Sequence, residues 1–463
     1  MKQTNLNTNL AFAENELNEV IRLFPQAESL KITHTFTETE GKYSNLVLLN
    51  GKAYAFCNLS HNPQTEILKK RLIKRYAKLA LYRALSSYFG ISLPWGALTG
   101  IRPTRLAYTE MAEHGDFEEF FTDVMKVSKE KTELTRAVIE SQKNYYDLNP
   151  DNTDFFVFIP FCPTRCKYCS FITQDLRSSS GLMEEYTEAL VREIRESAGF
   201  VKKLRSIYVG GGTPVALSNE NLIKVLSALA EINTGVEFTV EAGRPDRITK
   251  ENLKILKDFG VTRVCVNPQT FSDETLKRIG RNHTAAETIE KFLLAKENFV
   301  TNMDFIAGLE GETEEVFAGS INKAIELAPD DITVHTLCIK RGSYLAEETD
   351  RIECGEIEKM VNFAEKALSF AGYNPYYLYR QKYMAGNLEN VGYALKGKEC
   401  VYNIDTMEEI SSTVACGAGA ISKRVDFSGG RIERFAAPKD VKSYLAGEGE
   451  RLAGKRAFFG EPR

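Results

Sequence analysis

The stretch from Phe155 to Phe171, FFVFIPFCPTRCKYCSF, decides how the rest of the chain is interpreted. An apolar run typical of a buried strand ends at Pro160, and three cysteines follow in a C-x3-C-x2-C pattern. Cysteines spaced so closely on one loop indicate a metal site. The three candidate ligands are Cys162, Cys166 and Cys169.

Two metal groups are compatible with three closely spaced thiols. Iron–sulfur clusters are usually held by four cysteine thiolates, so three local cysteines leave one iron of a four-iron cluster open to bind a small molecule. A structural zinc ion is the alternative, and it needs a fourth cysteine or histidine at matching spacing. None of the five histidines lies near the loop. The pattern therefore favours the cluster and leaves zinc open.

Length and composition indicate a globular protein of two or three domains. The chain has 463 residues, of which 43% are hydrophobic and 26% charged. A net charge of −4 gives no global case for nucleic-acid binding. No apolar run is long enough to span a bilayer, and the N-terminus lacks an apolar signal segment. Nine cysteines, three of them clustered, fit a metal site in a reducing compartment. We expect a cytoplasmic monomer that binds neither nucleic acid nor a membrane.

The cysteine motif follows a first strand and has Tyr168 directly before its last cysteine. This combination resembles the signature of the radical S-adenosylmethionine (SAM) enzymes. The resemblance implies a [4Fe-4S] cluster on the three cysteines, whose open iron binds the amino and carboxylate groups of SAM. It also implies that an electron from the cluster cleaves SAM to a 5′-deoxyadenosyl radical, and that Tyr168 belongs to the cofactor site.

The chain divides into four predicted segments. Residues 1–95 are expected to form an α+β domain, and residues 96–152 a helical linker or docking segment. Residues 153–373 alternate six strand-like runs with helical stretches, which implies parallel strands with right-handed crossovers. The fold class is therefore α/β, and the resemblance implies a partial (β/α)6 barrel rather than a doubly wound sheet. Residues 374–463 are interpreted as a small α+β cap.

The cysteine loop leaves the first predicted strand at its carboxyl end, where barrel enzymes form their active sites. The glycine-rich motif GGGTP at 210–214 ends strand two, and its glycines allow close approach of a ligand. Glu241 ends strand three, where a carboxylate can bind an amine or a hydroxyl, whereas Asp246 is interpreted as a helix cap. In radical SAM enzymes the glycine motif contacts the SAM amino group. Its candidate residues here are Gly211, Gly212 and Thr213.

The ends of strands four and five resemble the oxygen-independent coproporphyrinogen III oxidase (dehydrogenase) family. Gln269 and Arg281 have the spacing of the glutamine and arginine that bind SAM in that family. The resemblance implies that Gln269 bonds a ribose hydroxyl, and that Arg281 holds the methionine carboxylate with its guanidinium fork. Asp304 matches the ribose-binding aspartate, and Ile306 matches an apolar contact to adenine. A buried strand aspartate without a ligand would be costly, which favours a functional role.

The resemblance covers nearly the whole chain. Residues 392–404, GYALKGKECVYNI, are similar to the family phrase Y-A-x-P-G-x-E-C-x-H-N. The segment with Trp95 and Gly100–Pro103 most resembles the HemZ-type variant of the family. Members with established chemistry carry a tyrosine where this chain has Phe156 and a fourth cysteine where it has Phe171. The haem chaperone branch also has an aromatic residue at the second of these positions.

The family resemblance implies oxidative decarboxylation of coproporphyrinogen III to protoporphyrinogen IX in haem biosynthesis. The implied partners are the porphyrinogen and an electron donor such as a flavodoxin or ferredoxin. Candidate cations for the substrate propionates are Arg102, Arg105 and the basic stretch Lys69–Arg75. One alternative is a haem-binding or haem-transfer chaperone of the same superfamily, with Cys400 as axial ligand. Another is a radical SAM enzyme acting on RNA or a different small molecule.

Overall fold

The chain forms two compact units, and the predicted four-part division stays a prediction. The computed structural model describes residues 5–39, 41–59, 65–100, 102–170, 174–175, 180–340, 342–349, 355–381, 384–427 and 431–460. The first unit comprises Met1–Arg136, Arg380–Lys382 and Gly386–Leu388. The second unit comprises Ala137–Tyr379, Tyr383–Ala385 and Glu389–Arg463.

The first unit contains a four-stranded sheet in the order β1-β2-β3-β4, parallel between β1 and β2 and antiparallel elsewhere. The strands are β1 (Leu6–Thr8), β2 (Ile32–Thr39), β3 (Lys42–Leu49) and β4 (Lys52–Leu59). The helices are α1 (Glu14–Arg22), α2 (Glu66–Phe89), α3 (Pro103–His114) and α4 (Lys129–Gln142), the last of which ends in the second unit. Helix α2 packs on β3 and on α1.

Some basic side chains of α2 pair with acids of the same unit. Lys69 lies 2.8 Å from Glu38, and Arg75 lies 3.3 Å from the buried Glu110. Part of the positive charge of α2 is therefore neutralised within the first unit.

One segment from late in the chain completes the first unit. The guanidinium of Arg380 lies 5.1 Å from the ring centroid of Trp95, which is fully buried. Arg380 also donates to the backbone carbonyls of Leu98 and Asn387. The only tryptophan of the chain is thus covered by a cation that follows it by almost 300 residues.

The second unit is built on an eleven-stranded sheet in the order β13-β14-β12-β11-β10-β9-β8-β5-β15-β16-β17. Its six central strands are neighbours and pair in parallel, which confirms the predicted α/β partial barrel. These strands are β5 (Asn152–Ile159), β8 (Lys203–Gly211), β9 (Glu237–Gly243), β10 (Arg263–Val266), β11 (Val300–Ala307) and β12 (Asp331–Thr336). Two short strands pair separately, β6 (Phe161–Cys162) and β7 (Gln174–Asp175).

Strands from the expected cap region extend this sheet at both edges. Strand β14 pairs antiparallel with β12, and β13 follows it. At the other edge β15 pairs in parallel with β5, and β16 and β17 continue antiparallel. The added strands are β13 (Asn374–Tyr379), β14 (Asn390–Ala394), β15 (Ser412–Cys416), β16 (Ile421–Asp426) and β17 (Arg431–Ala436).

Helices connect the strands of the second unit, and several are capped by the residue that precedes them. Helix α9 begins after Thr284, whose side chain accepts a hydrogen bond from the Glu287 backbone at 3.1 Å. The helices are α5 (Ser180–Ser197), α6 (Asn219–Ala230), α7 (Lys250–Asp258), α8 (Asp273–Arg278), α9 (Ala285–Lys296), α10 (Glu314–Leu327), α11 (Leu345–Glu348), α12 (Gly355–Phe370), α13 (Val401–Glu408), α14 (Val441–Ala446) and α15 (Glu448–Phe459). In the described part of the chain, no helix combines the length and apolarity that a bilayer span requires.

Candidate active site

The three cysteines lie on the loop that leaves β5. The Cys162 sulfur lies 3.3 Å from the Thr213 hydroxyl, and the Cys169 backbone N–H donates to the Cys166 carbonyl at 3.1 Å. Burial, together with charge repulsion from the nearby Cys166 and Cys169, raises the pKa of the Cys162 thiol to about 11. The three thiols are therefore close enough to interact electrostatically.

The donor set fits an iron–sulfur cluster. Among the described residues, no three His, Cys, Asp or Glu side chains converge on a point that could hold one metal ion. Cluster cysteines need no such convergence, because each binds a different iron. Two buried guanidiniums, those of Arg244 and Arg281, lie beside the cysteine loop and complement the negative charge of thiolate ligands.

The glycine motif at the end of β8 packs directly against the backbone of Ile159 and Phe161, just before Cys162. A Cβ atom on Gly212 would lie 2.5 Å from the Phe161 carbonyl oxygen, and one on Gly211 would lie 2.9 Å from that of Ile159. Gly211 has a φ of 108°, which also favours glycine. The Thr213 backbone N–H donates to the Phe161 carbonyl at 2.8 Å. These glycines therefore bring the motif against the backbone that precedes Cys162.

Glu241, near the end of β9, is partly buried beside a tyrosine that the sequence analysis missed. The Tyr208 hydroxyl donates to Glu241 Oε1 at 2.5 Å. Burial raises the pKa of Glu241 to about 7 although the Tyr208 hydrogen bond lowers it. The Tyr208 ring stacks on Tyr402 with centroids 4.3 Å apart, and Phe156 stacks on Tyr402 at 5.8 Å. Tyr208 could have been found, because it precedes the glycine motif by two residues and so shares a strand face with Gly210.

Asp304, on β11, faces a histidine and a tyrosine that were also missed. His335 Nε2 lies 3.8 Å from Asp304 Oδ2, and His335 Nδ1 lies 3.3 Å from the Tyr379 hydroxyl. Asn302 donates to Asp304 Oδ1 at 2.8 Å. Burial would raise the pKa of Asp304, but its contacts with His335 and Asn302 outweigh burial and lower it. The register pairs Ile306 with His335, so both lie at the carboxyl ends of their strands.

Ile306 belongs to an apolar cluster that reaches the cysteine loop. It is 6% exposed and packs with Leu276, Ile279, Leu309 and Leu337, while Tyr168 packs against the same cluster. The structure thus brings Tyr168 and Ile306 to one apolar surface, which can receive a flat aromatic ring.

Gln269 and Arg281 follow β10, and both are buried with unused polar atoms. Gln269 has a φ of 71°, rare for a residue with a side chain, and its Oε1 accepts no hydrogen bond from any described residue. Arg281 donates to the Asn267 carbonyl at 2.6 Å and to the Tyr168 hydroxyl at 3.2 Å. No carboxylate of the described residues forms an ion pair with Arg281. An uncompensated buried cation is costly, so this position fits an anionic ligand.

The structure contradicts the interpretation of Asp246 as a helix cap. Helix α7 is capped by Thr249, whose side chain accepts from the Asn252 backbone at 3.1 Å, because Thr249 directly precedes the helix. Asp246 instead accepts from Arg244 Nε at 2.9 Å and from Nη2 at 3.3 Å. Arg244 Nη1 donates to the Thr164 hydroxyl at 2.9 Å and lies 3.7 Å from the Cys166 sulfur. No local sequence pattern indicates Arg244, because its contacts join separate strand ends.

Of the remaining candidate residues, Cys400 lies away from this site. Cys400 is 1% exposed, and its thiol donates to Glu237, the first residue of β9, at 3.2 Å. Cys400 therefore lies at the amino ends of the strands, where burial raises its pKa well above the usual range. Phe171 lies outside the described residues. Arg102, Arg105 and Lys69–Arg75 belong to the first unit.

Comparisons with known proteins found similar sequences and a similar structure. The radical SAM superfamily matches residues 156–324. The oxygen-independent coproporphyrinogen-III oxidase-like protein HemZ of Bacillus subtilis is 37% identical over 80% of this chain and 78% of its own length. The heme chaperone HemW of Haemophilus influenzae is 29% identical over 63% of this chain and 76% of its own length. The structure of coproporphyrinogen III oxidase (HemN) from Escherichia coli covers 70% of this chain and 74% of its own at a TM-score of 0.54 and 22% identity, which shows a shared fold.

Proposed function

Because this chain belongs to the oxygen-independent coproporphyrinogen III oxidase-like family of the radical SAM superfamily, we propose that it oxidatively decarboxylates coproporphyrinogen III to protoporphyrinogen IX. Its cofactors are a [4Fe-4S] cluster and SAM, as in the superfamily. When bound, they supply one-electron cleavage of SAM to a 5′-deoxyadenosyl radical. Each of two substrate propionates would lose a hydrogen atom from its β carbon to the radical. It would then lose CO2 and pass one electron to an external one-electron acceptor, and so become a vinyl group.

The observation that carries the proposal is the buried guanidinium of Arg281 beside the cysteine loop. Its neighbours are a backbone carbonyl and the hydroxyl of Tyr168, so its positive charge is not balanced by a carboxylate in the described part of the chain. A guanidinium fork binds a carboxylate with two parallel hydrogen bonds. Arg281 would therefore hold the methionine carboxylate of SAM next to the cluster cysteines.

The remaining strand-end residues have matching roles in the proposal. Cys162, Cys166 and Cys169 would each bind one iron. Glu241 would accept a hydrogen bond from SAM through Oε2, since the Tyr208 hydroxyl donates to Oε1. The unpartnered amide oxygen of Gln269 would accept from a ribose hydroxyl. Further contacts to SAM are assigned to Gly211, Gly212 and Thr213 (amino group), Asp304 (ribose), and Ile306 and Tyr168 (adenine).

The aromatic residues next to Glu241 would orient the substrate. Phe156, Tyr208 and Tyr402 form a stacked group with interplanar angles of 13° to 28°. Flat ring systems favour offset stacking on such surfaces. Phe156 thus contributes a ring face at the position where related enzymes have a tyrosine, which keeps the surface aromatic without a hydroxyl.

The direct test is product analysis under strictly anaerobic conditions. The reconstituted, reduced protein is incubated with SAM and coproporphyrinogen III, and 5′-deoxyadenosine, CO2 and product mass are measured. We expect 5′-deoxyadenosine and a mass loss equal to two molecules of formic acid. Cys166→Ala should form no cluster and no product. Absence of 5′-deoxyadenosine would contradict the enzyme, and its formation without CO2 would contradict only the substrate.

A haem-transfer protein is the second candidate, because HemW proteins share much of this chain. A Soret band on mixing with haem, together with no turnover of porphyrinogen, would favour it. The buried position of Cys400 argues against that thiol as the axial ligand, since haem iron must reach it from outside the core.

The proposed enzyme would work in the cytoplasm as a monomer and take electrons from a flavodoxin or ferredoxin. Reduction of the reconstituted cluster by such a donor, followed by electron paramagnetic resonance (EPR), tests this part of the proposal. Sedimentation of the purified protein tests the oligomeric state.

A further inference from the structure

A buried ion pair next to the cysteine loop has no role in the proposed SAM site. Arg244 follows β9 directly and is 3% exposed. One edge of its guanidinium, Nε and Nη2, donates to both oxygens of Asp246 at 2.9 Å and 3.3 Å. The other nitrogen, Nη1, points to the cysteine loop, where it donates to the Thr164 hydroxyl at 2.9 Å. Asp246 therefore fixes the direction in which Arg244 presents its remaining donor.

The same nitrogen reaches a candidate cluster ligand. Arg244 Nη1 lies 3.7 Å from Cys166 Sγ, which is within hydrogen-bond range for a sulfur acceptor. Asp246 is itself held from a second side, because His283 Nδ1 lies 3.8 Å from its Oδ1. Arg244 and His283 are buried, and Asp246 is partly buried between them. Asp246 is not needed to cap α7, because Thr249 already caps that helix.

We propose that Arg244, oriented by Asp246, sets the reduction potential of the iron–sulfur cluster through the sulfur of Cys166. The inference rests on the proposed function in one respect, that Cys166 is a cluster ligand. Hydrogen bonds to cysteine sulfurs and nearby charge are main determinants of cluster potentials. Reduction adds one negative charge to the cluster, so a donor and positive charge beside Cys166 stabilise the reduced state. Arg244 is a positioning residue, since it acts through Cys166 and touches no reacting atom.

The sign of the effect follows from the charges. The wild-type protein places a neutral pair, Arg244 with Asp246, beside the cluster. Arg244→Gln removes the positive charge and leaves the Asp246 carboxylate, so reduction becomes less favourable. The double variant Arg244→Gln, Asp246→Asn removes both charges, so only the loss of the hydrogen bond to sulfur remains. We expect a midpoint shift to more negative potential in both variants, larger in the single one.

The experiment is an EPR-monitored redox titration of the full-length, reconstituted protein, with iron and sulfide analysis of each sample. For Arg244→Gln we expect a shift of at least about 59 mV, which is a tenfold change in the ratio of reduced to oxidised cluster for a one-electron couple. The matched control is Arg247→Gln, which makes the same substitution at an exposed arginine in the same turn. Its midpoint should equal that of the wild type.

The outcomes separate this inference from the proposed function. A wild-type protein that takes up no four-iron cluster would contradict the proposed function. A wild-type cluster with an unmoved midpoint in fully loaded Arg244→Gln would overturn the inference alone. If Arg244→Gln takes up less than a full complement of cluster, the Arg244→Lys variant is titrated in its place. Lysine keeps the positive charge but lacks the forked guanidinium that joins Asp246 to Cys166. A negative shift in Arg244→Lys supports the inference, and an unmoved midpoint overturns it.

Discussion

Two buried arginines at opposite ends of β10 are treated differently by the protein. Arg263, the first residue of the strand, pairs with Asp331 and Glu237, each at 3.2 Å, and donates to the Lys398 carbonyl at 2.6 Å. Arg281, which follows the strand, meets only a carbonyl, a hydroxyl and the cysteine loop in the described part of the chain. Carboxylates therefore neutralise the arginine at the amino ends of the strands, whereas the arginine at the carboxyl ends has no carboxylate partner among the described residues.

Other polar groups lie at each end of the strands. At the amino ends, Arg205 binds the buried Asp405 through two nitrogens, and the Ser206 hydroxyl donates to Asp154 at 2.6 Å. Single buried atoms without a partner among the described residues occur at both ends, such as Asp154 Oδ2 and Gln269 Oε1. The difference between the ends therefore lies in the ion pairs, which Arg263 and Arg205 form and Arg281 does not form among the described residues.

The largest expected effect is on the free energy of unfolding, when Arg263 at the amino ends of the strands is replaced. Arg263→Met should destabilise the protein by about 3–5 kcal/mol, because Glu237 and Asp331 would be left buried without their cation. Denaturant unfolding of the SAM-free protein measures this loss. Arg281→Met should cost far less or stabilise the protein, since it removes an uncompensated charge. Equal losses in the two variants would remove the distinction between the two ends.

The next effect is on ligand affinity. Arg281→Met should weaken SAM binding by roughly 10- to 150-fold, because a charge-assisted hydrogen bond contributes about 1.5–3 kcal/mol. Isothermal titration of the reconstituted, oxidised protein with SAM measures this change. Lys277→Met, at an exposed position of α8, is the control and should bind SAM like the wild type. Unchanged affinity in Arg281→Met would exclude Arg281 as the carboxylate ligand.

Carboxyl groups at the two ends of the strands also predict how SAM affinity depends on pH. Glu241 and Asp331 both have pKa values raised to about 7, chiefly by burial, at opposite ends of the strands. Glu241 loses its proton as pH rises through 7, and its carboxylate binds a cationic or hydroxyl donor more strongly. SAM affinity should therefore rise between pH 6 and pH 8, by up to about tenfold, since one pKa unit corresponds to about 1.4 kcal/mol.

Two variants separate the two carboxyl groups. Glu241→Gln should remove this part of the pH dependence, whereas Asp331→Asn should keep it. Stability changes in the opposite direction: a raised folded-state pKa gives a contribution that is present at low pH and is lost as pH rises through 7. Thermal unfolding of the SAM-free protein from pH 5 to pH 8 should show this decline. A SAM affinity that is flat with pH in the wild type would contradict the role of Glu241.

The smallest expected effect is the loss of stability on replacing Cys400, at the amino ends of the strands. Cys400→Ala should cost about 1 kcal/mol or less, because it removes one hydrogen bond to Glu237. Cluster iron and haem binding should not change, in contrast to Cys166→Ala, which should lose the cluster. Loss of a haem Soret band in Cys400→Ala would instead support the haem-transfer function.

The sequence predicted the central fold because each βα repeat carries its own signal. Strands such as β10 begin and end at the predicted residues, Arg263–Val266, since a continuous apolar run marks a strand buried on both faces. The partnership of β15 with β5 could not be predicted. It joins residues more than 250 positions apart, and nothing in the short STVAC run specifies a partner.

The candidate site was predicted as a set of strand-end motifs, and its supporting residues were not. Cys166 and Arg281 are recognisable from local spacing, whereas Tyr208, His335 and Arg244 matter because of what they face in three dimensions. Asp246 was misassigned for a related reason, since an acid before a helix resembles a cap until Thr249 is seen in that position. Contacts between strand ends depend on register, which local patterns do not fix.

The contact of Arg380 with Trp95 has a consequence for how the protein is made. Synthesis proceeds from the N-terminus, and domains generally fold as they emerge from the ribosome. Residues up to Arg136 emerge early, but the cation that covers Trp95 follows only after most of the barrel strands have been translated. The first unit begins to fold early and is therefore completed late. A fragment that stops before residue 380 would leave Trp95, one of the largest buried side chains of this unit, without the cation that covers it.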